Sequence, residues 1–379
     1  MSKKLKPCVP DTLPLEQLNW EEIVPLMGKA SRALARYDGT LEGIINSAVL
    51  LSPITSQEAV LSSRIEGTQA SLVDVLQHEA GEDFEEDKER DIQEIINYRR
   101  ALLLAEEHLQ NRNITLSLIR ELHEVLMNSV RGKDKTPGKF RTDQNWIGKV
   151  GSGIEDARFI PPEPMVMEGA LSNLETFIGE DYPDPLVQLA IIHAQFEIIH
   201  PFNDGNGRLG RMLVPLFLYQ KKVLQRPVFY LSEYLEKNDK EYRDRLLAVT
   251  NEDQWQEWII FFLEAVKSQA EGNSEKAKKI HELYERMKLR FGEVTNSRFA
   301  LNALDALFSK PIINSSDFYE RSEISTKITA YSILKQLTEA GIIQILKQGR
   351  GQSPSVYVFP ELINISEGRT IFKIPKTDN

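Results

Sequence analysis

Apolar residues recur at three- and four-residue spacing along most of the chain, a pattern that predicts a mainly α protein. Before about position 20 the chain is rich in proline and reads as an extended arm. From Trp20 to Ile65 the spacing is helical, with Leu41, Ile44, Ile45 and Val49 in phase and turns expected at Asp38-Gly39 and Leu51-Ser52-Pro53. A helix from about Thr55 to Glu66 is expected to stop at Gly67, since glycine takes the left-handed conformation that ends helices. A charge-dense run over residues 81–90 reads as a solvated loop and helix start. Further helices are expected over Ile92–Leu109, Leu116–Met127, Pro185–His200, Leu209–Tyr219, Tyr242–Thr250, Trp255–Val266 and Glu275–Leu289. Between the last two, Glu271-Gly272-Asn273-Ser274 reads as a capping turn.

Two stretches break the helical pattern. From Gly138 to Pro162, short extended segments flank Gly151-Ser152-Gly153, which predicts a β-hairpin. In the tail, helices at Phe299–Phe308, Ser315–Tyr319 and Ser325–Ala340 precede a hairpin of Ile342–Leu346 and Val356–Phe359, the order of a winged helix.

Composition narrows the class. At 379 residues, two or three domains are expected, and 41% hydrophobic with 27% charged residues is ordinary for a globular protein. The net charge of −10 argues against a general polyanion binder, although a local basic patch stays open. One cysteine, Cys8, excludes an internal disulfide framework and a multi-cysteine zinc site within the chain. The basic start, Met1 to Lys6, is followed by Pro7, Cys8, Pro10 and Asp11 rather than an apolar signal segment. The most apolar stretch, Leu186 to Phe202, is interrupted by Gln188, His193, Gln195, Glu197 and His200, so no membrane span is expected. The expectation is a soluble, cytoplasmic protein.

The chemistry concentrates in His200-Pro201-Phe202-Asn203-Asp204-Gly205-Asn206-Gly207-Arg208-Leu209-Gly210-Arg211. Backbone N–H groups at Gly205, Asn206 and Gly207, where a new helix opens, suit an anion, and glycine lets a phosphate oxygen approach the backbone. Arg208 and Arg211, one turn apart, can grip two phosphates. Asp204 offers a hard oxygen for a Mg²⁺ that already carries phosphate oxygens, and His200 a neutral imidazole that can take a hydroxyl proton. Two blander readings compete. The loop could be a plain inter-helix turn with solvated arginines, or His193, His200 and Asp204 could hold a hydrolytic metal, although the two arginines would then lie beside a cation without purpose. His193 by itself reads as a hydrogen-bonded core histidine.

The loop resembles the Fic-family signature His-Pro-Phe-x-(Asp/Glu)-Gly-Asn-Gly-Arg-x-x-Arg at every fixed position. The resemblance runs from about Trp20 to Val266, and the tail resembles the winged helix of longer members. It implies a Fic-type helical bundle with a β-hairpin flap, plus a small C-terminal winged-helix domain. The expected division is residues 1–110 as an N-terminal helical region, 111–270 as the catalytic core, and 271–379 as linker helix and winged helix. The implied activity is protein adenylyltransfer, moving AMP from ATP onto a Ser, Thr or Tyr hydroxyl. His200 would be the base, Asp204 would hold Mg²⁺, Gly205 to Gly207 and Arg208 and Arg211 would hold the phosphates, and Phe202 would anchor the loop. The nucleotide-binding stretch would take in Asn203 to Arg211, including Leu209 and Gly210.

Ser62-Ser63-Arg64-Ile65-Glu66-Gly67 resembles the family's inhibitory motif, with Ser62, Glu66 and Gly67 at its fixed places and the helix at about 55–67 as its carrier. A two-pronged pair between Glu66 and Arg211 would withhold that arginine from the γ-phosphate and leave the α-phosphate misaligned. The flap, about residues 144–160, would add target backbone as an extra strand, with Arg158 and Phe159 near the nucleotide. Tyr242 and Arg243 fall where members carry a tyrosine pair near the adenine. Arg243 departs from that pair, which leaves nucleotide choice open, although an arginine can stack on a purine. Self-modification is a further implied outcome. Two alternatives remain at this point: a regulator whose winged helix binds DNA while its Fic domain senses nucleotide, and an enzyme that removes AMP. Protein docking is favoured for the winged helix over DNA, because few basic residues accompany Lys327, Thr329, Tyr331, Ser332, Lys347 and Arg350.

Overall fold

The computed structural model describes residues 6–43, 47–128, 135–148, 151, 153–351 and 353–374. Ile44, Ile45 and Ser152 of the expectations above lie outside the described residues, as do residues 1–5 and parts of the 144–160 segment. The chain is mainly helical. In order run α1 (Trp20–Glu42), α2 (Ser47–Ile65), α3 (Leu72–Glu79), α4 (Glu86–Leu109), α5 (Leu116–Leu126), α6 (Pro164–Gly179), α7 (Pro185–Ile199), α8 (Asn206–Gln220), α9 (Ser232–Lys237), α10 (Asp239–Glu252), α11 (Trp255–Thr295), α12 (Ala300–Ser309), β1 (Ile312–Asn314), α13 (Ser315–Arg321), α14 (Lys327–Glu339), β2 (Gln344–Lys347), β3 (Val356–Val358) and α15 (Pro360–Glu367). Among the described residues no helix is long and apolar enough to cross a membrane.

Two compact units emerge: residues 1–38, 61–67 and 93–271, and residues 39–60, 68–92 and 272–379. In the first unit α7 is the central element. It packs against α6, α8 and α10, and nearly every one of its residues is buried. A helix enclosed on all sides needs no polar stripe, which is why its apolar residues run continuously rather than along one face. Asp184 caps its start by accepting from the N–H groups of Leu186 and Val187, with Pro185 at the first helical position. Two of its groups are tied to neighbouring elements: the Ala190 carbonyl accepts from Trp258 at 2.8 Å, and Gln188 donates to the Phe177 carbonyl at 2.7 Å.

In the second unit a three-stranded antiparallel sheet has the order β1-β3-β2. Ile312 pairs with Val358 and Gln344 pairs with the same Val358 across the other edge, with an irregularity between Ile345 and Lys347. Thr326 caps α14 through the Thr329 N–H. The buried Lys310 is tied to the Glu79 carbonyl and to Asp317, and Asn314 donates to the Ala80 carbonyl, so β1 is held to the end of α3.

Several expected breaks are absent. The helix α1 continues through Asp38-Gly39, because Tyr37 and Leu41 on either side are buried and that packing outweighs the cost of about 1 kcal/mol for a helical glycine. The helix α2 continues through Pro53, flanked by buried Leu50, Leu51 and Ile54. The expected capping turn at residues 271–274 is instead interior to α11, where Asn273 and Ser274 are buried. Among the described residues of 146–159, Ile147 and Phe159 form an antiparallel bridge and Ile154–Asp156 a short 3-10 turn. The helices α3, α6 and α15 and the strand β1 were not among the expected elements.

Candidate active site

The site forms where α7 ends and α8 begins. His200 is the C-cap of α7 in the left-handed conformation, with φ 48° and ψ 60°. That geometry turns the chain into the loop and costs energy for a non-glycine residue, so the surroundings must hold it. Arg141 supplies the hold. It is buried, and its guanidinium donates to the carbonyls of His200 at 3.0 Å, Pro162 at 2.5 Å, Asp143 at 3.1 Å and Ile199 at 3.4 Å. A cation at a helix C-terminus also meets the negative end of the dipole. Arg141→Ala would strand these carbonyls, each costing about 1–3 kcal/mol when left unsatisfied. Urea unfolding should therefore show a stability loss on the order of 3 kcal/mol.

Inside the loop, Asn206 clamps Phe202 from both sides. Its Oδ1 accepts from the Phe202 N–H and its Nδ2 donates to the Phe202 carbonyl, each at 2.9 Å. The Phe202 ring is fully buried and stacks on His123, centroids 3.8 Å apart. His123 Nδ1 accepts from the Gly138 N–H at 2.8 Å, so its Nε2 carries the proton and donates to the Asp204 carbonyl at 3.1 Å. Burial holds the His123 pKa down to about 4, consistent with a neutral ring.

His200 Nδ1 faces the Glu197 carbonyl at 3.3 Å, which leaves the Nε2 lone pair unprotonated. Burial lowers its pKa to about 4, against the opposing effects of that carbonyl and of Glu66. The imidazole is thus neutral near pH 7 and in the tautomer a base needs.

Arg211 is enclosed, and its partners come from the last turn of α2 and the residue that follows it. Its Nε donates to Ser62 Oγ at 2.9 Å, and one Nη donates both to the Ser62 carbonyl at 2.8 Å and to Glu66 Oε1 at 2.6 Å. The pair is therefore a single charged hydrogen bond through an Nη that Glu66 shares with the Ser62 carbonyl, and the expected two-pronged pairing is not formed. Burial pushes the Glu66 carboxyl up, and the Arg211 guanidinium outweighs it, holding the group below the usual carboxylate range. Glu66 lies against Gly207: a Cβ there would stand 2.2 Å from Glu66 Oε1, so the close approach requires glycine.

A cavity of about 650 Å³ opens beside these groups. Among its lining residues are Glu66, Gly207, His200, Arg158, Phe159, Tyr242 and Arg243. Asn203, Asp204, Gly205, Asn206, Arg208, Leu209, Gly210 and Arg211 do not line it. Leu209 is core, and Asn203 donates to Thr136 Oγ1 on the exposed side of the loop. Arg208 is buried and engaged by Glu94 at 3.0 Å, with Asp204 at 3.5 Å. Arg243 binds Asp239 and the Ile65 carbonyl, and Arg158 pairs with Asp244. The Tyr242 hydroxyl points into the core and meets His193 Nε2 at 2.9 Å, while His193 Nδ1 lies 3.0 Å from the Gly210 carbonyl. Both nitrogens of His193 are thereby occupied, which removes it as a metal ligand.

Glu197, Arg141 and His123 had no assigned place in the sequence reading. For Glu197 a signal existed, since a glutamate interrupts an otherwise apolar helix. For Arg141 and His123 none did, as their partners are backbone groups distant in sequence.

A helical protein with a glycine-containing loop between two buried helices, a neutral base at its head and two arginines behind it defines the class. The description "Fic/DOC family N-terminal" matches residues 24–107 and "Fic/DOC family" matches residues 113–218, together half of the chain. The chain belongs to the Fic/DOC family. It is 29% identical over 180 residues to a "Probable protein adenylyltransferase aq_aa38" of Aquifex aeolicus (strain VF5), covering 46% of this chain and 51% of that one. It is 29% identical over 119 residues to "Protein adenylyltransferase fic-1" of Caenorhabditis elegans, covering 31% of this chain and 21% of that one. The match thus spans about half or less of the length of these curated relatives. Among solved structures, a Fic family protein from Desulfovibrio desulfuricans G20 aligns with TM-score 0.57 at 19% identity, over 93% of this chain and 98% of that one. A Fic domain containing signaling protein from Bacteroides thetaiotaomicron VPI-5482 aligns with TM-score 0.55 at 18% identity, over 67% and 97%. These two likenesses show a shared fold.

Proposed function

We propose that this chain is a protein adenylyltransferase that moves AMP from ATP to a Ser, Thr or Tyr hydroxyl of a target protein and is held in check by Glu66. The observation that carries the reading is the engagement of Arg211, the last arginine of the loop, by Ser62 of α2 and Glu66 just after it. The names of the relatives support the reaction class. In the reaction, the target hydroxyl oxygen attacks the α-phosphorus and its proton passes to His200 Nε2. The bond to pyrophosphate breaks, and pyrophosphate leaves. The neutral tautomer of His200, fixed by the Glu197 carbonyl, suits that step.

A Mg²⁺ fits the Asp204 carboxylate. Its side chain is 48% exposed, and a magnesium ion that keeps waters and substrate phosphates needs only one or two carboxylates. When bound, the ion would neutralise charge on the phosphates and leaving group. Arg208 would keep the Asp204 side chain directed through the pair they already form. Arg211 would serve the γ-phosphate once α2 releases it. The segment 144–160 would receive the target, with Ile147 and Phe159 at its base. The helices α12 to α14 with the sheet are read as a winged helix that docks protein rather than DNA, since α14 carries Ile328 and Tyr331 exposed beside Lys327.

Intact-mass spectrometry after incubation with ATP and Mg²⁺ tests the reading. The expected result is a mass gain of one AMP on Glu66→Gly. No gain on either protein or on a lysate of candidate targets, together with altered DNA mobility, would favour a nucleotide-sensing DNA regulator instead.

A further inference from the structure

Glu197 occupies the last turn of α7, three residues before His200, and lines the same cavity as Glu66, Gly207 and His200. Its Oε1 is enclosed and has no hydrogen-bond partner. The same atom lies against Gly210: a Cβ at that position would stand 2.2 Å from it. In the loop motif Gly210 occupies an unconstrained position, and in this chain it leaves room for the Glu197 carboxyl.

A buried oxygen without a hydrogen bond disfavours a negative charge on the group that bears it. The charged groups that face Glu197 come from three other elements. Arg211 on α8 attracts, Glu66 in the turn after α2 repels, and Arg243 on α10 attracts more weakly, with the neutral Tyr242 hydroxyl beside it. His200 follows it on its own helix end, and Arg158 lines the cavity with it. Two carboxyl groups therefore act on one guanidinium, and only Glu66 is hydrogen-bonded to it.

We propose that Glu197 is a second carboxylate for Arg211: it keeps its proton more firmly while Glu66 holds the guanidinium, and becomes its charged neighbour when Glu66 is withdrawn, leaving the vacated N–H to the γ-phosphate. Glu197 is then a positioning residue for the arm that would hold the triphosphate. The inference rests on the brake reading given above. On withdrawal of Glu66, the Glu197 proton passes to solvent in the cavity, and the charge vacated by one carboxylate is replaced by the other. The guanidinium keeps an anionic neighbour throughout and stays at the loop. Burial, with Glu66 adding to it, raises the Glu197 pKa to about 7 against the pull of Arg211, in accord with an uncharged carboxyl in the docked state.

The coupling has a sign. A proton on Glu197 removes repulsion toward Glu66 and tightens the brake, whereas its loss at higher pH loosens it. By reciprocity, removing Glu66 must make Glu197 more acidic. Carbon-13 NMR of the full chain labelled at glutamate carboxyls reads this directly. In the wild type one glutamate should titrate near neutral pH, and in Glu66→Gly its midpoint should fall by about one pH unit or more. The signal should vanish in Glu197→Gln. Should that variant fail to fold, the comparison of wild type with Glu66→Gly still decides, because Glu66's own signal disappears while the one sought moves. An equal midpoint in both proteins, or a wild-type midpoint in the ordinary carboxylate range, overturns the proposal. A second readout is the ratio of wild-type to Glu66→Gly self-modification, which should rise as pH passes upward through neutrality and stay flat in proteins that carry Glu197→Gln. The two readings fail separately. A fall in midpoint without any gain of transfer in Glu66→Gly supports the shared guanidinium and sinks the brake.

Discussion

Glu66→Gly should raise incorporation of label from α-phosphate-labelled ATP by on the order of 10²-fold, the factor a misplaced reacting group typically costs. In the wild type, Nε and one Nη of the Arg211 guanidinium are engaged by Ser62 and Glu66, and the Glu66 carboxylate stands where a γ-phosphate would meet that Nη. Removing the carboxylate frees one N–H for the γ-phosphate and removes a negative charge from beside the triphosphate. Gly207 gains from the same change, since Glu66 Oε1 occupies the space over its backbone. The Glu66 carboxyl stays ionised down to pH values below the usual carboxylate range, so acid within the physiological range should not substitute for the mutation. Equal labelling of wild type and Glu66→Gly would refute the brake.

The partner change should behave in the opposite way. Arg211→Ala also breaks the pair, yet it deletes the group that would hold the γ-phosphate and leaves a carboxylate without its cation. Neither Arg211→Ala nor Glu66→Gly combined with Arg211→Ala should reach the rate of Glu66→Gly. Rapid labelling by Arg211→Ala would mean that loosening α2 is enough, whatever becomes of the arginine.

His200→Ala on the Glu66→Gly background should lower transfer by about 10²–10⁴-fold, the usual range for loss of a general base. ATP affinity measured by calorimetry should change little, because the imidazole acts on the incoming hydroxyl and not on the triphosphate. The burial that keeps His200 neutral sets the pH dependence: the rate should be insensitive to this group near neutrality and fall as pH drops toward about 4, where the ring takes a proton. The left-handed conformation at His200 is secured by Arg141 through backbone carbonyls, so truncating the imidazole leaves that support in place. A loss of ATP affinity as large as the loss of rate would move His200 from the chemistry to the binding of nucleotide.

Much of this protein is legible along the chain because the relevant physics is local. Continuous apolar spacing marks α7, Asp184-Pro185 marks its start, and a dozen consecutive residues carry the loop, all within hydrogen-bonding reach of their own neighbours. The Ser62 to Gly67 segment reads equally well, since a helical spacing of four brings Ser62 and a residue just past the helix end, Glu66, to the same side. Helix ends are less legible. Gly39, Pro53 and Gly272 are punctuation to any local rule, yet α1, α2 and α11 run through them because buried neighbours such as Tyr37, Leu51 and Ala277 outweigh a cost of about 1–3 kcal/mol. The fine structure of the site lies beyond local rules altogether. Sequence spacing cannot say that Ser62 takes one edge of Arg211 and leaves Glu66 a single hydrogen bond, that Glu94 occupies Arg208, or that Tyr242 turns its hydroxyl to His193. Those choices depend on which groups from elements 49 to 149 residues apart compete for the same partners. Burial decides the rest, because it keeps the His200 imidazole neutral and is the main cause that raises Glu197, an ordinary acid in the chain, to a pKa of about 7.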